Sequence, residues 1–413
     1  MLVITSAITR RDSMRWQSGA RWPERAENTN QAIAGSFRGI SLAITTTAIV
    51  GRGTRSRPST REALSANAAP VIHQDWLSEV RASVDSDLAA VFEAERARAM
   101  ALSGDASLVE ALEALTMRGG KRLRPAVLVA AHRAVDPAGS LEALLPACSA
   151  LELLQSYLLA HDDWMDGDDT RRGGPSVHAA LRAKVGDAHL GDSLAILAGD
   201  LGNAFALRQL MRTAAPRERV IAALEAFVDL SAEVVLGQQL DLQGSPDVSR
   251  MQRLKTGSYT VMGPLRLGAL LGGATPGSAA MRALEAFAAP IGEAFQMADD
   301  LLGTFGDPRE TGKSAGNDLR AGKRTALVRA CEQRLSEADC VPLTKVLGVA
   351  SASDVDIAAA RELLVTSGAK RVVEESIAAL TAEAITALSS DAISDLGRAQ
   401  LTELAERLTR RRA

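Results

Sequence analysis

The chain is poor in aromatic residues, cysteines and net charge, and each shortage excludes a class of protein. Phe, Trp and Tyr together make up 3% of the 413 residues, so a core must be built mostly from Leu, Ala, Val and Ile. Three cysteines (Cys148, Cys331 and Cys340) are too few and too scattered for a disulfide framework and are typical of a reducing compartment. The 47 basic and 50 acidic residues leave a net charge of −3, which gives no general attraction to nucleic acid.

Long apolar runs and strand patterns are also missing. No stretch approaches 18 uninterrupted apolar residues, so the sequence predicts no transmembrane segment. No alternating run of β-branched and aromatic residues exceeds four residues. Apolar residues instead recur every four positions, at helical spacing, in the stripe Trp76, Val80, Val84, Leu88 and Phe92. We therefore predict an all-α fold, a single large helical bundle over residues 71–413.

The first 70 residues differ in composition and are predicted to lie outside the folded domain. Residues 1–60 hold nine arginines, no lysine and three acids. An Arg- and Ser-rich, acid-poor segment is typical of an organelle transit peptide. A disordered tail, or a start codon assigned too far upstream, would give the same composition. We expect a cytoplasmic protein, with an organelle as the alternative.

Two clusters of aspartates each end an apolar run. In the first, Asp162-Asp163-Trp164-Met165-Asp166, a continuing helix would place Asp162 and Asp166 on one face. The second cluster is Asp299-Asp300, after Phe295-Gln296. Carboxylates this close repel unless a cation lies between them, and Mg²⁺ is favoured where phosphates complete its shell. Two such helices facing each other across a bundle would clamp metal ions. Each cluster alone is as easily a solvated helix end.

Five basic segments accompany the aspartates along the chain. They are residues 119–125 (Gly-Gly-Lys-Arg-Leu-Arg-Pro), 171–174, 255–257, 311–314 and 322–324. Lysine offers phosphate a point charge, arginine offers a bidentate fork, and glycine lets backbone N–H groups approach an anion. A single segment of this kind is more often a solvated loop. Together they predict two bound polyphosphate groups, one held through metal and one held directly by cations.

The motifs, taken in order, resemble those of the trans-isoprenyl diphosphate synthases, the polyprenyl synthetase family. Residues 162–166 resemble the family's first Asp-rich motif, and residues 119–125 resemble its isopentenyl diphosphate loop. Lys255-Thr256 is similar to the pair that contacts the allylic diphosphate, and residues 295–300 resemble the second Asp-rich motif. The resemblance implies a helical bundle with a central cavity, a homodimer, and Mg²⁺-dependent condensation of isopentenyl diphosphate with an allylic diphosphate.

The resemblance also implies roles for single residues. The metal ligands would be Asp162, Asp166 and Asp299, supported by Asp163 and Asp300. These five aspartates and Lys255 would be the catalytic residues. The isopentenyl diphosphate site would hold Lys121, Arg124, Gln155 and Arg172. The allylic diphosphate site would hold Arg171, Lys255, Thr256, Gln296, Lys313 and Lys323.

Two further positions bear on activity and product length. The family's usual third aspartate of the second motif is replaced by Gly303, which puts metal affinity in question. Tyr157 lies five residues before Asp162, where an aromatic ring in the family forms a floor that limits products to about C20, as the resemblance implies. Because Leu158 follows it, geranylgeranyl diphosphate is expected over farnesyl diphosphate.

Three other functions compete with this interpretation. A farnesyl diphosphate synthase would differ only in product length. A terpene cyclase would need no isopentenyl diphosphate site, so Lys121, Arg124, Gln155 and Arg172 argue against it. A non-catalytic subunit of an active partner is supported only by Gly303.

Overall fold

Residues 75–245, 247–306 and 316–410 are described by the computed structural model, and these ranges are almost entirely helical. The first ten helices are α1 (Trp76–Ser103), α2 (Ser107–Met117), α3 (Leu123–Val135), α4 (Leu141–Asp166), α5 (Val177–Val185), α6 (Ala188–Met211), α7 (Arg217–Leu242), α8 (Val248–Gln252), α9 (Gly263–Gly272) and α10 (Ala279–Phe305). Six more follow: α11 (Asn317–Arg320), α12 (Ala326–Glu332), α13 (Val341–Thr344), α14 (Asp354–Thr366), α15 (Ala369–Ala387) and α16 (Asp395–Thr409).

Two short elements interrupt the α-helices near the predicted site. A π-helical segment, Arg253–Met262, joins α8 to α9 and carries Lys255 and Thr256. Strands β1 (Thr170–Arg171) and β2 (Gly174–Pro175) pair antiparallel directly after α4. The all-α prediction is confirmed for the described residues. The predictions for residues 1–70 and the boundary at residue 71 lie outside them.

The helices that carry the aspartates begin and end at residues suited to those positions. The side chains of Ser140 and Ser278 precede α4 and α10 and accept hydrogen bonds from first-turn backbone N–H groups. Helix α4 ends at Gly167, whose φ of 70° is accessible to glycine at little cost. The first aspartate cluster therefore forms the last turn of α4.

Helices α3 and α4 form the inside of the bundle. Almost every residue from Pro125 to Ala131 of α3 is buried, as is most of α4 from Ala147 to Leu154. Among the described residues, α4 is the one helix long and apolar enough to cross a membrane. However, 61% of its apolar window is buried within the protein, and buried core helices meet the same criteria of length and composition.

Small residues of α6 allow it to approach α4 closely. A Cβ at Gly199 would lie 2.3 Å from His161 Nε2, and a Cβ at Gly202 would lie 3.3 Å from Tyr157 Cβ. Because these contacts leave little room for a larger side chain, α6 packs closely against α4 at Tyr157 and His161, just before the aspartates. The predicted α1 stripe from Trp76 to Phe92 is buried in the same core, as expected.

Candidate functional site

The last turn of α4 divides its aspartates between two directions. Asp162 is half-buried and Asp166 is exposed, whereas Asp163 is fully buried. Arg171, from β1, donates from Nε to Asp163 Oδ1 at 2.7 Å and forms a second bond to it through Nη2. Burial raises the pKa of Asp163, and pairing with Arg171 opposes that rise. Asp163 therefore anchors the following turn, while Asp162 and Asp166 share a different face.

The end of α10 repeats this division. Asp299 is exposed, whereas Asp300 is 6% exposed and accepts a hydrogen bond of 2.9 Å from Gln296 Nε2. Burial raises the pKa of Asp300 to about 6, although the Gln296 hydrogen bond acts in the opposite direction. In each cluster, then, one aspartate is buried against a partner on the protein and its neighbour is more exposed.

The space beside Gly303 is occupied by a carboxylate from another element. A Cβ at position 303 would lie 2.5 Å from Asp318 Oδ2, which is on α11. Asp318 also pairs with Lys323 Nζ at 2.9 Å. Gly303 is one turn beyond Asp299 and Asp300, so Asp318 brings a third carboxylate to this helix end. The sequence alone gave no signal for this, because Asp318 lies 15 residues beyond the position that lacks an aspartate.

Lys255 connects the first cluster to a residue that sequence reasoning missed. Its Nζ lies 2.6 Å from Asp241 Oδ2, near the end of α7, and 3.3 Å from Asp162 Oδ1. Burial lowers the pKa of Lys255, but the two carboxylates outweigh it and the pKa is raised overall. The lysine therefore stays charged beside the aspartates. The charge of Asp241 also raises the pKa of Lys323, so Asp241 interacts with a lysine near each of the two aspartate clusters.

A second group of side chains gathers at the start of α3. Arg124 bonds Gln155 through Nη1 and lies over the ring of Tyr259, with 4.1 Å from Cζ to the ring centroid. Arg172 donates from Nη1 to the carbonyl of Gly119 at 2.8 Å. Lys121 is exposed on the same loop. Burial lowers the pKa of Arg172, and the nearby Arg124 acts in the same direction, so this group gathers positive charge.

One cavity of about 610 Å³ joins residues of both predicted diphosphate sites. Its lining includes Arg124, Gln155, Tyr157, Asp162, Lys255 and Thr256. It also includes apolar side chains such as Leu158, Val234 and Leu242. Asp299, Asp300, Gln296, Lys323, Asp166, Arg171, Arg172 and Lys121 are not among its lining residues. Lys313 lies outside the described residues.

The carboxylates offer suitable oxygens for a hard cation but do not form a closed cage. Within the described ranges, no three His, Cys, Asp or Glu side chains converge closely enough to hold an ion by themselves. Asp162 Oδ1 is buried, and its nearby cation, Lys255 Nζ at 3.3 Å, is shared with Asp241 at 2.6 Å. Asp162 therefore keeps oxygen lone pairs that a metal ion could take. This donor set fits Mg²⁺, which takes one or two carboxylates and completes its shell with phosphate oxygens and water.

Residues 105–364 match the model of the polyprenyl synthetase family. The chain belongs to this family. This polyprenyl synthetase is 34% identical to a short chain isoprenyl diphosphate synthase of Methanocaldococcus jannaschii, over 62% of this chain and 76% of that one. It is 38% identical to a geranylgeranyl diphosphate synthase of Mycobacterium tuberculosis, over 58% of this chain and 67% of that one.

Solved structures agree with the sequence relatives. A geranylgeranyl pyrophosphate synthase from Corynebacterium glutamicum, complexed with isoprenyl diphosphate and magnesium, superposes with a TM-score of 0.72 at 35% identity, covering 81% of this chain and 99% of that one. A polyprenyl synthase from Caulobacter crescentus, complexed with calcium and isoprenyl diphosphate, gives 0.66 at 27% identity, covering 82% and 98%. The predicted family and helical architecture are confirmed, and this polyprenyl synthetase is a short-chain prenyltransferase.

The division within the first cluster generates a testable prediction. Asp162→Ala should lower kcat/KM by about 10²- to 10⁴-fold, because it removes a carboxylate that faces the cavity. The matched control is Asp169→Ala, since Asp169 points instead at His178 and Arg182, at 3.1 and 3.4 Å. The control should change kcat/KM by less than about threefold. Steady-state kinetics would contradict the assignment if both folded variants lost activity equally, or if neither did.

Proposed function

We propose that this prenyltransferase condenses isopentenyl diphosphate with an allylic diphosphate, head to tail and with a trans double bond, to give geranylgeranyl diphosphate. The observation that carries the proposal is the shared cavity. Its wall includes Arg124 and Gln155 of the proposed isopentenyl diphosphate site, Asp162, Lys255 and Thr256 of the proposed allylic site, and apolar residues such as Leu158 and Val234. Such a cavity suits two substrates whose anionic diphosphates bind to its polar residues while their prenyl parts meet in its apolar space.

The allylic diphosphate site combines carboxylates with cations. Asp162, Asp166 and Asp299 are the proposed Mg²⁺ ligands, and Mg²⁺ would supply neutralisation of the charge that develops on the leaving diphosphate. Asp163 and Asp300 take no proposed ligand position, because their side chains are engaged with Arg171 and Gln296. Lys255, Thr256 and Lys323, together with Arg171, Gln296 and Lys313, are proposed to surround the same diphosphate. Lys255 is well suited because its charge is retained beside two carboxylates.

The isopentenyl diphosphate site is proposed to be purely cationic. Lys121, Arg124 and Arg172 would bind this diphosphate directly, with Gln155 orienting Arg124. Because none of these four side chains is anionic, the diphosphate could bind to them without a metal ion. The site would hold the isopentenyl double bond facing the allylic carbon.

The reaction follows from this placement. The allylic C–O bond breaks, and positive groups stabilise the departing diphosphate. The isopentenyl double bond then forms a C–C bond to the allylic carbon, and the resulting cation loses a proton to the released diphosphate. Val234 and Leu158 line the cavity and are proposed to exclude the water that would quench the cation.

Product length is assigned to Tyr157. Its ring lies edge-on to His161, with centroids 4.9 Å apart, and its Cβ lies against Gly202 of α6. Five residues of helix place it about 7–8 Å from Asp162 along the axis, below the proposed diphosphate. The relatives include synthases of farnesyl, geranylgeranyl and geranylfarnesyl diphosphates, so family membership alone leaves the length open.

Chromatography of the products tests both the reaction and its length. Incubation with Mg²⁺, isopentenyl diphosphate and a labelled allylic primer should give mainly a C20 diphosphate. Tyr157→Ala should extend the products to C25 or longer because it removes the ring, and Leu158→Phe should shorten them toward C15. A hydrocarbon product would indicate a cyclase instead. An active Tyr157→Ala variant with unchanged products would show that this ring is not the floor.

We further propose a homodimer formed through α6 and α7. Of the 17 large apolar side chains that the described residues expose, eight lie on these two helices. Those of α6 recur at multiples of seven (Leu190, Leu197 and Met211), as do most of those of α7 (Ile221, Val228, Val235 and Leu242). A seven-residue repeat keeps each row on one side of its helix, as at helix–helix interfaces. A second copy would cover the α6 row and the Ile221 and Val228 part of the α7 row with the same apolar surface, while Val235 and Leu242 line the cavity.

Light scattering coupled to size-exclusion chromatography tests the dimer. The wild type should elute as a dimer, and Ile221→Asp with Val228→Asp should yield monomer, because buried carboxylates would oppose association. Val355→Asp, at a 78% exposed position on α14, is the control and should leave the dimer intact. A monomeric wild type, or a dimer that survives the double substitution, would contradict the assignment.

The cellular location is proposed to be the cytoplasm. Cys148, Cys331 and Cys340 are buried and unpaired, which suits a reducing compartment.

A further inference from the structure

The loop that begins α3 is held in an unfavourable backbone conformation. Among the described residues, Arg122 and Arg172 alone have a positive φ without being glycine, at 47° and 52°. Both belong to the proposed isopentenyl diphosphate region. L-residues avoid this left-handed conformation, so the surrounding contacts must stabilise it. Arg172 meets this requirement through its hydrogen bond to the carbonyl of Gly119.

Arg122 is stabilised by a buried set of charged and polar partners. Its side chain is 2% exposed. Its Nε donates to Asp85 Oδ1 on α1 at 2.8 Å, its Nη1 bonds Glu152 on α4, and its Nη2 donates to the carbonyl of Thr116 on α2 at 3.0 Å. Glu152 is itself buried, at 4% exposure. One guanidinium therefore connects three helices to the loop.

These contacts give Arg122 a different task from its neighbours. All three of its nitrogens have protein partners, and two carboxylates balance its charge, so it has little left to offer a phosphate. Lys121 and Arg124, on either side, have no carboxylate partner among the ion pairs of the described residues. Gly120 lies against the guanidinium, since a Cβ there would be 3.4 Å from Arg122 Nη1. The path of the loop backbone therefore depends on where this side chain is fixed.

We propose that Arg122, with Glu152 and Asp85, is the positioning residue of the isopentenyl diphosphate site. It sets the left-handed turn between Lys121 and Arg124, so that both side chains are directed at one diphosphate without touching it itself. The inference rests on the proposed function, which places isopentenyl diphosphate at this loop.

Replacing the buried pair by apolar residues of similar volume separates positioning from folding. Arg122→Met alone would strand the buried Glu152 carboxylate, so Arg122→Met is combined with Glu152→Leu. The double variant should keep the circular dichroism spectrum and raise the KM for isopentenyl diphosphate about tenfold, with the KM for the allylic primer within about twofold. Asp85→Ala, which removes a 38% exposed partner, should raise the same KM about threefold.

The control is a partly buried ion pair elsewhere in the bundle, in which the Arg208 side chain is 29% exposed. Arg208 bonds Glu95, which is 4% exposed, and this pair joins α6 to α1. Arg208→Met with Glu95→Leu should leave both KM values unchanged. A general loosening of the fold would instead raise the two KM values together in both double variants, and that result would overturn the proposal.

Two further outcomes are decisive. The positioning role is overturned if Asp85→Ala has wild-type KM values and the Arg122 double variant has them too. It is also overturned if Asp85→Ala has wild-type KM values and the double variant fails to fold. Arg124→Ala, assayed in parallel, distinguishes this from a failure of the proposed function. If Arg124→Ala leaves the KM for isopentenyl diphosphate unchanged, the site itself is misassigned. If it raises that KM while the Arg122 variants stay normal, only the positioning role is lost.

Discussion

Repulsion between like charges is the constraint on which the rest of this structure depends. Asp162 and Asp166 share one helix face, and Asp318 lies beside the Asp299-Asp300 pair. Arg124 lines the cavity, and Arg172 lies near enough to it that the charge of Arg124 lowers the pKa of Arg172. None of these groupings is favourable by itself. They persist because packed helices hold their backbones, and bound diphosphates with their metal ions would relieve the repulsion.

The helical packing supplies that rigidity with small and aliphatic residues. Buried α3 and α4 carry the cationic loop and the first aspartates at their ends, while the glycines of α6 bring it close against α4. A chain with few aromatic residues can still fill its core in this way, because closely packed helices leave less space for side chains to fill. Tyr157 is an exception, a large ring held at the cavity wall. The same packing thus fixes the charges at the mouth and the proposed floor beneath them.

Local sequence patterns were enough to predict the helices and the ends at which the aspartates lie. The period of the Trp76–Phe92 stripe and the apolar run of α4 are local properties, and a helix turns them into a definite face. The resemblance supplied roles for residues such as Arg124 and Lys255. Neither source predicted that Asp163 would turn inward to Arg171, because that depends on the β1–β2 turn.

Contacts between residues far apart in the chain could not be predicted from the sequence either, because they too depend on how the elements pack. Asp241 meets Lys255 because α7 and the π-helical segment lie side by side. Asp318 meets Gly303 because α11 folds back onto α10. Arg122 lies between Lys121 and Arg124 in the motif, and its burial against Asp85 and Glu152 explains why it differs from them. The charged motifs of the sequence therefore located the proposed diphosphate sites. The burial of each side chain in the structure indicates which of those charges are available to a diphosphate.

The central claim is that one diphosphate is held directly by cations and the other through carboxylates and metal. Isothermal titration calorimetry with and without Mg²⁺ tests it, using isopentenyl diphosphate and a non-reactive thio analogue of the allylic diphosphate. Isopentenyl diphosphate should bind with similar affinity when Mg²⁺ is removed by chelation. The allylic analogue should lose at least about tenfold in affinity, because Asp162, Asp166 and Asp299 would then repel it. Equal dependence of both ligands on Mg²⁺, or independence of both, would contradict the account.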